Sequence, residues 1–325
     1  MSKLPQLRAF AMIASLGVAW PAFAQAPPPA EPAAQASPAP ATECAECPAL
    51  ATVPPGSFQL GTSPDAAEVD AATGETPALA VVIGKPFMIA QHEVTVGEFR
   101  RFVEATGHNV VDECRVWLGG QWVHLRGRSW RDPGYAQPPR DDEPVVCVNW
   151  DDAAAYAEWL SQKSGKRYRL PSESEWEYAA RGGTSWPRYW SATDSSEQAL
   201  VSRACEFANV YDTSAAAATP LPWPNARCND LHPAIAPVGQ YKPNAFGVHD
   251  AIGNAREWVA DCWTTSYHGR PQDGRAWTWT GGCEQRGVRG GSWASRPADA
   301  RAAARSAEDR GLRQADLGFR VVRDY

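Results

Sequence analysis

The chain has 325 residues, 31 of them Lys or Arg against 37 Asp or Glu, for a formal charge of −6 at pH 7, and 44% are hydrophobic. That length supports one large domain or two ordinary ones with a sizeable core. The acidic balance and the lack of any Lys/Arg run argue against nucleic acid as a partner.

Lys3 and Arg8 precede the apolar run Ala9 to Val18, and Ala22-Phe23-Ala24 fits the small-x-small cleavage pattern, so residues 1–24 are expected to be a secretory signal peptide. The run is shorter than the roughly 20 residues of a membrane helix, and no other stretch approaches that length. A periplasmic or secreted monomer with no membrane partner is therefore expected. Loss of Lys3 and Arg8 would leave 29 basic residues against 37 acidic ones, a net charge of −8. Residues 25–43 are mostly Ala, Pro, Gln and Glu, a composition that buries too little apolar surface to fold and reads as a linker. The folded part is expected over 44–325.

Val53 to Gly61 reads as a turn and a short strand, Asp65 to Pro77 as a surface loop, and Ala78–Ile83 with Phe87–Ala90 as a hairpin about Gly84-Lys85-Pro86. Three helices follow, each with a capping box and a glycine stop. The first has Thr95 with Glu98, buries Phe99, Phe102 and Val103, and stops at Gly107; the second has Asn149 with Asp152, buries Tyr156, Trp159 and Leu160, and stops at Gly165. The third has Ser172 with Glu175, buries Trp176 and Ala179, and ends at Gly182-Gly183. From Thr184 onward Trp, Gly, Pro and Asn interrupt every segment, with strands expected again at Val288–Trp293 and Gly318–Val322. The fold class is α+β with much loop. Fifteen Trp, roughly three times ordinary usage, can build a rigid core where regular elements are sparse.

All eight cysteines lie beyond the expected cleavage point, and an even count in an oxidising compartment reads as a disulfide framework with 105 possible connectivities. Spacing suggests Cys114 with Cys147, Cys205 with Cys228 and Cys262 with Cys283. Cys44-Ala-Glu-Cys47 reads as a small structural bridge, because Pro48 and the Ala/Pro context offer no helix N-terminus for a redox motif.

The stretch Asp250-Ala-Ile-Gly-Asn-Ala-Arg-Glu-Trp258 joins two carboxylates to small residues whose carbonyls are easily approached, which suits a hard cation such as calcium. A tight turn with solvated acids is the competing reading. The six histidines show no metal-ligand spacing, so no conventional iron or zinc cluster is expected.

Several segments together resemble the formylglycine-generating enzyme family, also called sulfatase-modifying factor domains: Pro55 to Gly61, His92 to Phe99, Tyr168 to Tyr178, Gly253 to Trp258, Arg289-Gly-Gly-Ser-Trp293 and Leu317-Gly-Phe-Arg320. The resemblance implies one domain with a variant of the C-type-lectin-like fold, low in regular structure. It also implies a calcium ion held by the side chains of Asp250 and Glu257 and the carbonyls of Gly253 and Ala255, and a second held by Asn209, Val210, Asp230 and the carbonyl of His232. Family members that make formylglycine use two cysteines shortly after the Gly-Gly-Ser-aromatic motif as a copper(I) site, for which thiolates are suitable ligands. Here Ser292 to Arg305 contains no cysteine, so the copper mechanism is not expected. Ser292, Arg301 and Arg305 fall in the family's active-site region and are the candidate binding or catalytic residues, with loop anchoring as their alternative role. The exported branches of the family implied by this pattern assist maturation or tailoring of a peptide or protein; a non-catalytic module presenting a lectin-like groove to a peptide, glycan or partner enzyme is the alternative.

Overall fold

The computed structural model describes residues 44–62, 74–191 and 202–325, which belong to one compact unit. The expected signal peptide at 1–24, the linker at 25–43 and most of the 65–77 loop lie outside the described residues. No helix among the described residues is long and apolar enough to cross a membrane.

The capping boxes determine where the three main helices begin. In α1 (Val96–Thr106) the Glu98 amide donates to Thr95 Oγ1 at 3.2 Å while the Thr95 amide donates to Glu98 Oε2 at 2.8 Å. Asn149 and Asp152 exchange the same pair at 2.8 and 3.0 Å ahead of α2 (Trp150–Ser164), as do Ser172 and Glu175 at 3.0 and 2.8 Å ahead of α3 (Glu173–Arg181). Each reciprocal pair satisfies two backbone donors that a helix start would otherwise leave open. Gly107, Gly165 and Gly182 end the helices in the left-handed conformation, at φ 67°, 67° and 56°.

The strands are short. β1 (Leu50–Val53) and β2 (Gly56–Leu60) are separated by Pro54-Pro55, which supplies no N–H for a ladder. β3 (Leu79–Ile83) pairs with β2, and β4 (Phe87–Ala90) pairs with β1, both antiparallel. The expected hairpin between the last two strands is thus corrected. Both strands exist, but each lies against the earlier strand on its own side of the Pro54-Pro55 break, so the chain forms a bent two-stranded ribbon. The hairpin β5 (Glu113–Leu118) and β6 (Gln121–Arg126), turning at Gly119-Gly120, was not signalled by alternation, because both of its faces are partly exposed.

Two four-stranded sheets carry the rest. In one, β4 is flanked by β1 and by β12 (Val322–Asp324), with β7 (Tyr168–Arg169) outside β12. In the other the order is β10 (Arg305–Asp309), β9 (Gln285–Arg289), β8 (Arg256–Cys262), β11 (Leu317–Gly318), with β11 parallel to β8. The expected strand at 288–293 therefore ends at Arg289, and the one at 318–322 divides into β11 and β12. Between the helices and sheets, Phe99, Phe102, Tyr156, Trp159 and Phe319 form one aromatic cluster, with ring centroids 5.4 to 6.3 Å apart. Full burial of each such side chain contributes about 1.5–3 kcal/mol. Four of these rings lie on the inner faces of α1 and α2 and Phe319 follows β11, so the two helices close over the first sheet, and the second sheet's β9–β10 edge faces a cleft.

All eight cysteines are bridged: Cys44–Cys47, Cys114–Cys147, Cys205–Cys228 and Cys262–Cys283.

Candidate functional site

The segment after Asp250 turns tightly before entering β8. Asp250 and Asn254 take left-handed backbones at φ 55° and 54°, and a Cβ on Gly253 would lie 2.3 Å from the Asn209 carbonyl oxygen, so only glycine fits there. Asn254 fastens the turn, its amide donating to that carbonyl at 2.6 Å and its Oδ1 accepting from Ala236 N at 3.0 Å.

Asp250 is buried; its Oδ2 accepts from Gly239 N at 2.6 Å and its Oδ1 has no hydrogen-bond partner. Glu257 is also fully buried, but both of its oxygens are occupied: Arg320 Nη2 donates to Oε1 and Arg320 Nε to Oε2, each at 2.7 Å, and Trp176 Nε1 donates to Oε2 at 2.7 Å. A third carboxylate, Glu93, stands 4.0 Å from Arg320 Nη2, with Oε2 free of any hydrogen bond and Oε1 3.4 Å from the Ala255 amide. Glu93 sits inside the His92–Phe99 motif, where no neighbouring residue marks it as a ligand. Three buried carboxylates thus surround one guanidinium. Burial, with Asp250 nearby, pushes Glu93 well above the usual carboxylate range, and burial raises Asp250 as well. Among the described residues, the carbonyls of Gly253 and Ala255 accept no hydrogen bond outside the sheet ladders. Surplus buried negative charge, open carboxylate oxygens and open carbonyls fit an oxygen-seeking divalent cation. In this arrangement Glu93 offers the open oxygen, whereas Glu257 chiefly neutralises Arg320.

The residues expected for a second ion face different neighbours. Asn209 Nδ2 donates to Ala234 O at 2.7 Å and to Asn254 Oδ1 at 3.1 Å, which ties it to the first turn, while its Oδ1 is buried without a hydrogen-bond partner; the Val210 side chain is core. Asp230 accepts from His232 N at 2.8 Å and from Tyr241 Oη at 3.0 Å, and its own amide donates to Asp212 Oδ2 at 2.7 Å. Burial raises Asp230 to about 6, opposed by the His232 amide. Cys205, Asp212 and Asp230 bring one ligand-type atom each within 4.8 Å of one another, but Cys205 is bridged to Cys228 and has no thiolate to offer.

Beyond β9, the Gly290-Gly291 turn opens on a cleft of about 750 Å³ lined by Arg115, Trp122, Trp223, Ser295, Arg301 and Arg305, among others. Ser292 lies behind this wall, fully buried, and its hydroxyl donates to Asp316 Oδ2 at 2.8 Å. Burial acts to raise Asp316, but Arg256, donating through Nε and Nη2 at 3.1 Å each, holds it below the usual range. A buried hydroxyl directed at a carboxylate is a loop brace and cannot reach a ligand in the cleft. Arg301 is held in a bidentate pair by Glu75. Arg305 donates through Nε and Nη2 to Glu173 at 2.5 and 3.0 Å, and through Nη1 to the Gly74 and Thr264 carbonyls at 2.9 Å each. Both arginines line the cleft, yet most of their donors already have protein acceptors. Arg115 differs: among the described residues its side chain makes one hydrogen bond, to Gln314 Oε1 at 3.3 Å, so a largely uncommitted guanidinium lines the cleft together with Trp122.

Comparison with known proteins agrees with this architecture. Residues 35–325 match the family model described as the sulfatase-modifying factor enzyme 1-like domain. The formylglycine-generating enzyme of Streptomyces coelicolor is 34% identical over 323 residues, covering 90% of this chain and 95% of its own. The inactive C-alpha-formylglycine-generating enzyme 2 of Bos taurus is 29% identical over 275 residues, covering 75% of this chain and 76% of its own. Among solved structures, PvdO from Pseudomonas aeruginosa is similar at 34% identity with a TM-score of 0.73, covering 90% of this chain and 100% of that one. With fold, motif order and these relatives in agreement, the chain belongs to the family of sulfatase-modifying factor, or formylglycine-generating enzyme-like, domains.

Proposed function

We propose that this protein is an exported maturation or tailoring factor that receives a peptide or protein segment in the cleft beyond Gly290-Gly291 and acts on it without a copper–thiolate centre. The observation that carries the reading is the wall of the cleft itself. Where relatives of the formylglycine-forming type are expected to place two cysteines, Ser292 to Arg305 has none, and all eight cysteines of the chain are bridged. Copper(I) favours thiolate ligands, and a disulfide sulfur is a poor substitute. The cleft is large enough for several side chains, with Trp122 and Trp223 as apolar walls and Arg115 as a cation for an acidic group. Export rests on the Lys3/Arg8 and Ala22-Phe23-Ala24 pattern.

We assign calcium a structural part: Asp250, Glu93 and the carbonyls of Gly253 and Ala255 would hold it, and its charge would offset the surplus carboxylates around Arg320. A second ion would be held by Asn209, whose Oδ1 is buried without a hydrogen-bond partner, with Val210, Asp230 and the carbonyl of His232.

The alternative, a binding module without turnover, draws on the burial of Ser292 and the ion pairing of Arg301 and Arg305. One experiment separates the two. The purified protein is incubated with O₂ and a peptide panel spanning acidic and aromatic sequences, with copper, with iron and with no added metal, and read by mass spectrometry. A mass change that survives a copper-specific chelator supports tailoring. Capture of peptide without any mass change, lost in Trp122→Ala, supports the module. Mass change only with copper overturns the reading.

A further inference from the structure

On a separate face, α2, β8 and β9 enclose a second pocket of about 500 Å³ that the cleft does not use. Trp150, Ala154, Ala157 and Glu158 reach it from α2, at the spacing of one helical face. Two alanines in that row leave the space open. Across it stands Arg286 of β9, whose guanidinium stacks on the Trp150 ring at 3.7 Å from carbon to centroid.

Arg286 is unusual among the buried arginines of this fold. Arg181, Arg256, Arg305 and Arg320 each use their Nε and Nη2 donors together to grip a carboxylate, those of Glu177, Asp316, Glu173 and Glu257 respectively. Arg286 is only 6% exposed, yet its one acceptor among the described residues is the Ala260 carbonyl, 2.7 Å from Nη1. Its Nε is buried without a partner, and among the described residues Nη2 has no acceptor. The acidic groups nearby are already engaged: Asp151 by Arg310, Glu175 by Arg169, and Asp324 by Arg167 and Arg169. Burial, reinforced by Arg310, holds the Arg286 pKa below its ordinary value, against the pull of Asp151 and Asp261. A largely buried guanidinium without a carboxylate partner of its own leaves a desolvated charge uncompensated, which is costly.

We propose that this pocket binds a small organic carboxylate, with the carboxylate seated on the terminal Nη2 of Arg286 and a short apolar body lying against Trp150, Ala154 and Ala157. A guanidinium N–H to a carboxylate oxygen is a strong, charge-assisted hydrogen bond. Charge selects a monoanion over phosphate. Four arginines and three carboxylates line the pocket, leaving an excess of a single positive charge, and Glu158 and Glu175 would repel a dianion. This site is independent of any reading of the main cleft.

The test uses the full exported chain and three probes, acetate, benzoate and hexanoate, with inorganic phosphate as a fourth. Binding is followed by ligand-observed NMR and calorimetry. Benzoate and hexanoate are expected to bind more tightly than acetate. Arg286→Met should weaken them about tenfold or more, the loss of one charge-assisted contact. Ala154→Phe, which fills the pocket and leaves Arg286 and Trp150 in place, should abolish binding, and it keeps the test decisive if Arg286→Met fails to fold. Failure of all three carboxylates to bind at millimolar concentration overturns the proposal. So does binding unchanged in Ala154→Phe, or a preference for phosphate.

Discussion

Replacing Glu173 with Gln tests whether the arginines at the cleft are part of the scaffold or are held for a ligand. Glu173 is the first residue of α3 and is fully buried. Its Oε1 accepts from Arg305 Nε at 2.5 Å, Tyr267 Oη at 3.2 Å and Arg289 Nη1 at 3.3 Å, and its Oε2 from Arg270 Nη1 at 2.6 Å and Arg305 Nη2 at 3.0 Å. These three guanidiniums hold Glu173 well below the usual carboxylate range despite its burial. In Glu173→Gln, Arg289 keeps Glu177 and Arg270 keeps Asp261, but Arg305 is left with two neutral carbonyls. Removing one member of a buried, hydrogen-bonded pair costs about 3–5 kcal/mol, a large part of a typical total of about 5–15 kcal/mol. Urea denaturation with the disulfides intact should show the loss as a lower midpoint at constant slope. The double variant Glu173→Gln/Arg305→Met, which removes the stranded charge, should recover part of that stability. A loss below about 1 kcal/mol, or strictly additive losses in the double variant, would refute the view that Arg305 is an anchor.

Three further outcomes are expected. Chelation by EGTA should lower the melting temperature, because an ion bound only by the folded state at a hundredfold excess over its Kd contributes about 2.7 kcal/mol; Asp250→Asn and Glu93→Gln should each shrink that effect, and identical EGTA shifts in both variants and the parent would remove calcium from the turn. Asp230 is raised by burial to about 6, above an unfolded value of about 3.9, so its protonation favours the fold: stability is greatest below the unfolded value and declines as pH rises through 6. Partial solvation of the group reduces this to the order of 1 kcal/mol; in EGTA, urea midpoints at pH 4 and 7 should differ less in Asp230→Asn than in the parent, and an equal or larger difference would contradict the assignment. Opening the Cys114–Cys147 bridge as a double alanine variant frees a loop with a sequence separation of 33, for which chain entropy gives about 3–4 kcal/mol; a midpoint within error of the parent would show that the loop is held by packing alone.

The helices were legible in the sequence because their punctuation is local. A Thr–Glu, Asn–Asp or Ser–Glu pair three residues apart and a closing glycine act within one segment, and no distant residue alters them. Strand pairing is not local. Phe87–Ala90 is recognisable as a strand from its own residues, yet its partners, β1 and β12, lie about 35 residues upstream and more than 230 downstream. The Gly84-Lys85-Pro86 turn signal suggested a hairpin, but β3 and β4 pair instead with β2 and β1, on either side of Pro54-Pro55. Much of the remaining order is electrostatic and equally long in range: Glu75 meets Arg301 across 226 residues and Ala90 O meets Arg320 across 230.

The same distinction applies to the candidate site. Asp250, Gly253 and Glu257 were identifiable together because they lie within eight residues of one segment, although the contact that requires glycine at 253, the Asn209 carbonyl, shows only in the structure. Glu93 could not be joined to them from sequence, since β4 delivers it from 157 positions earlier in the chain. Nor could Arg320, which takes up both oxygens of Glu257 and so shifts the open carboxylate of the turn from Glu257 to Glu93. Ser292, Arg301 and Arg305 show the converse. Their positions after the Gly-Gly turn were evident, but whether a polar group faces a ligand or a partner depends on what stands behind it. Asp316, Glu75 and Glu173 engage these three, whereas Arg115, Trp122 and Trp223, contributed by the β5–β6 hairpin and the loop after residue 218, line the cleft without such a carboxylate partner among the described residues. Recognition of a substrate should therefore respond to substitutions in that hairpin and loop more than to substitutions along the motif strand itself.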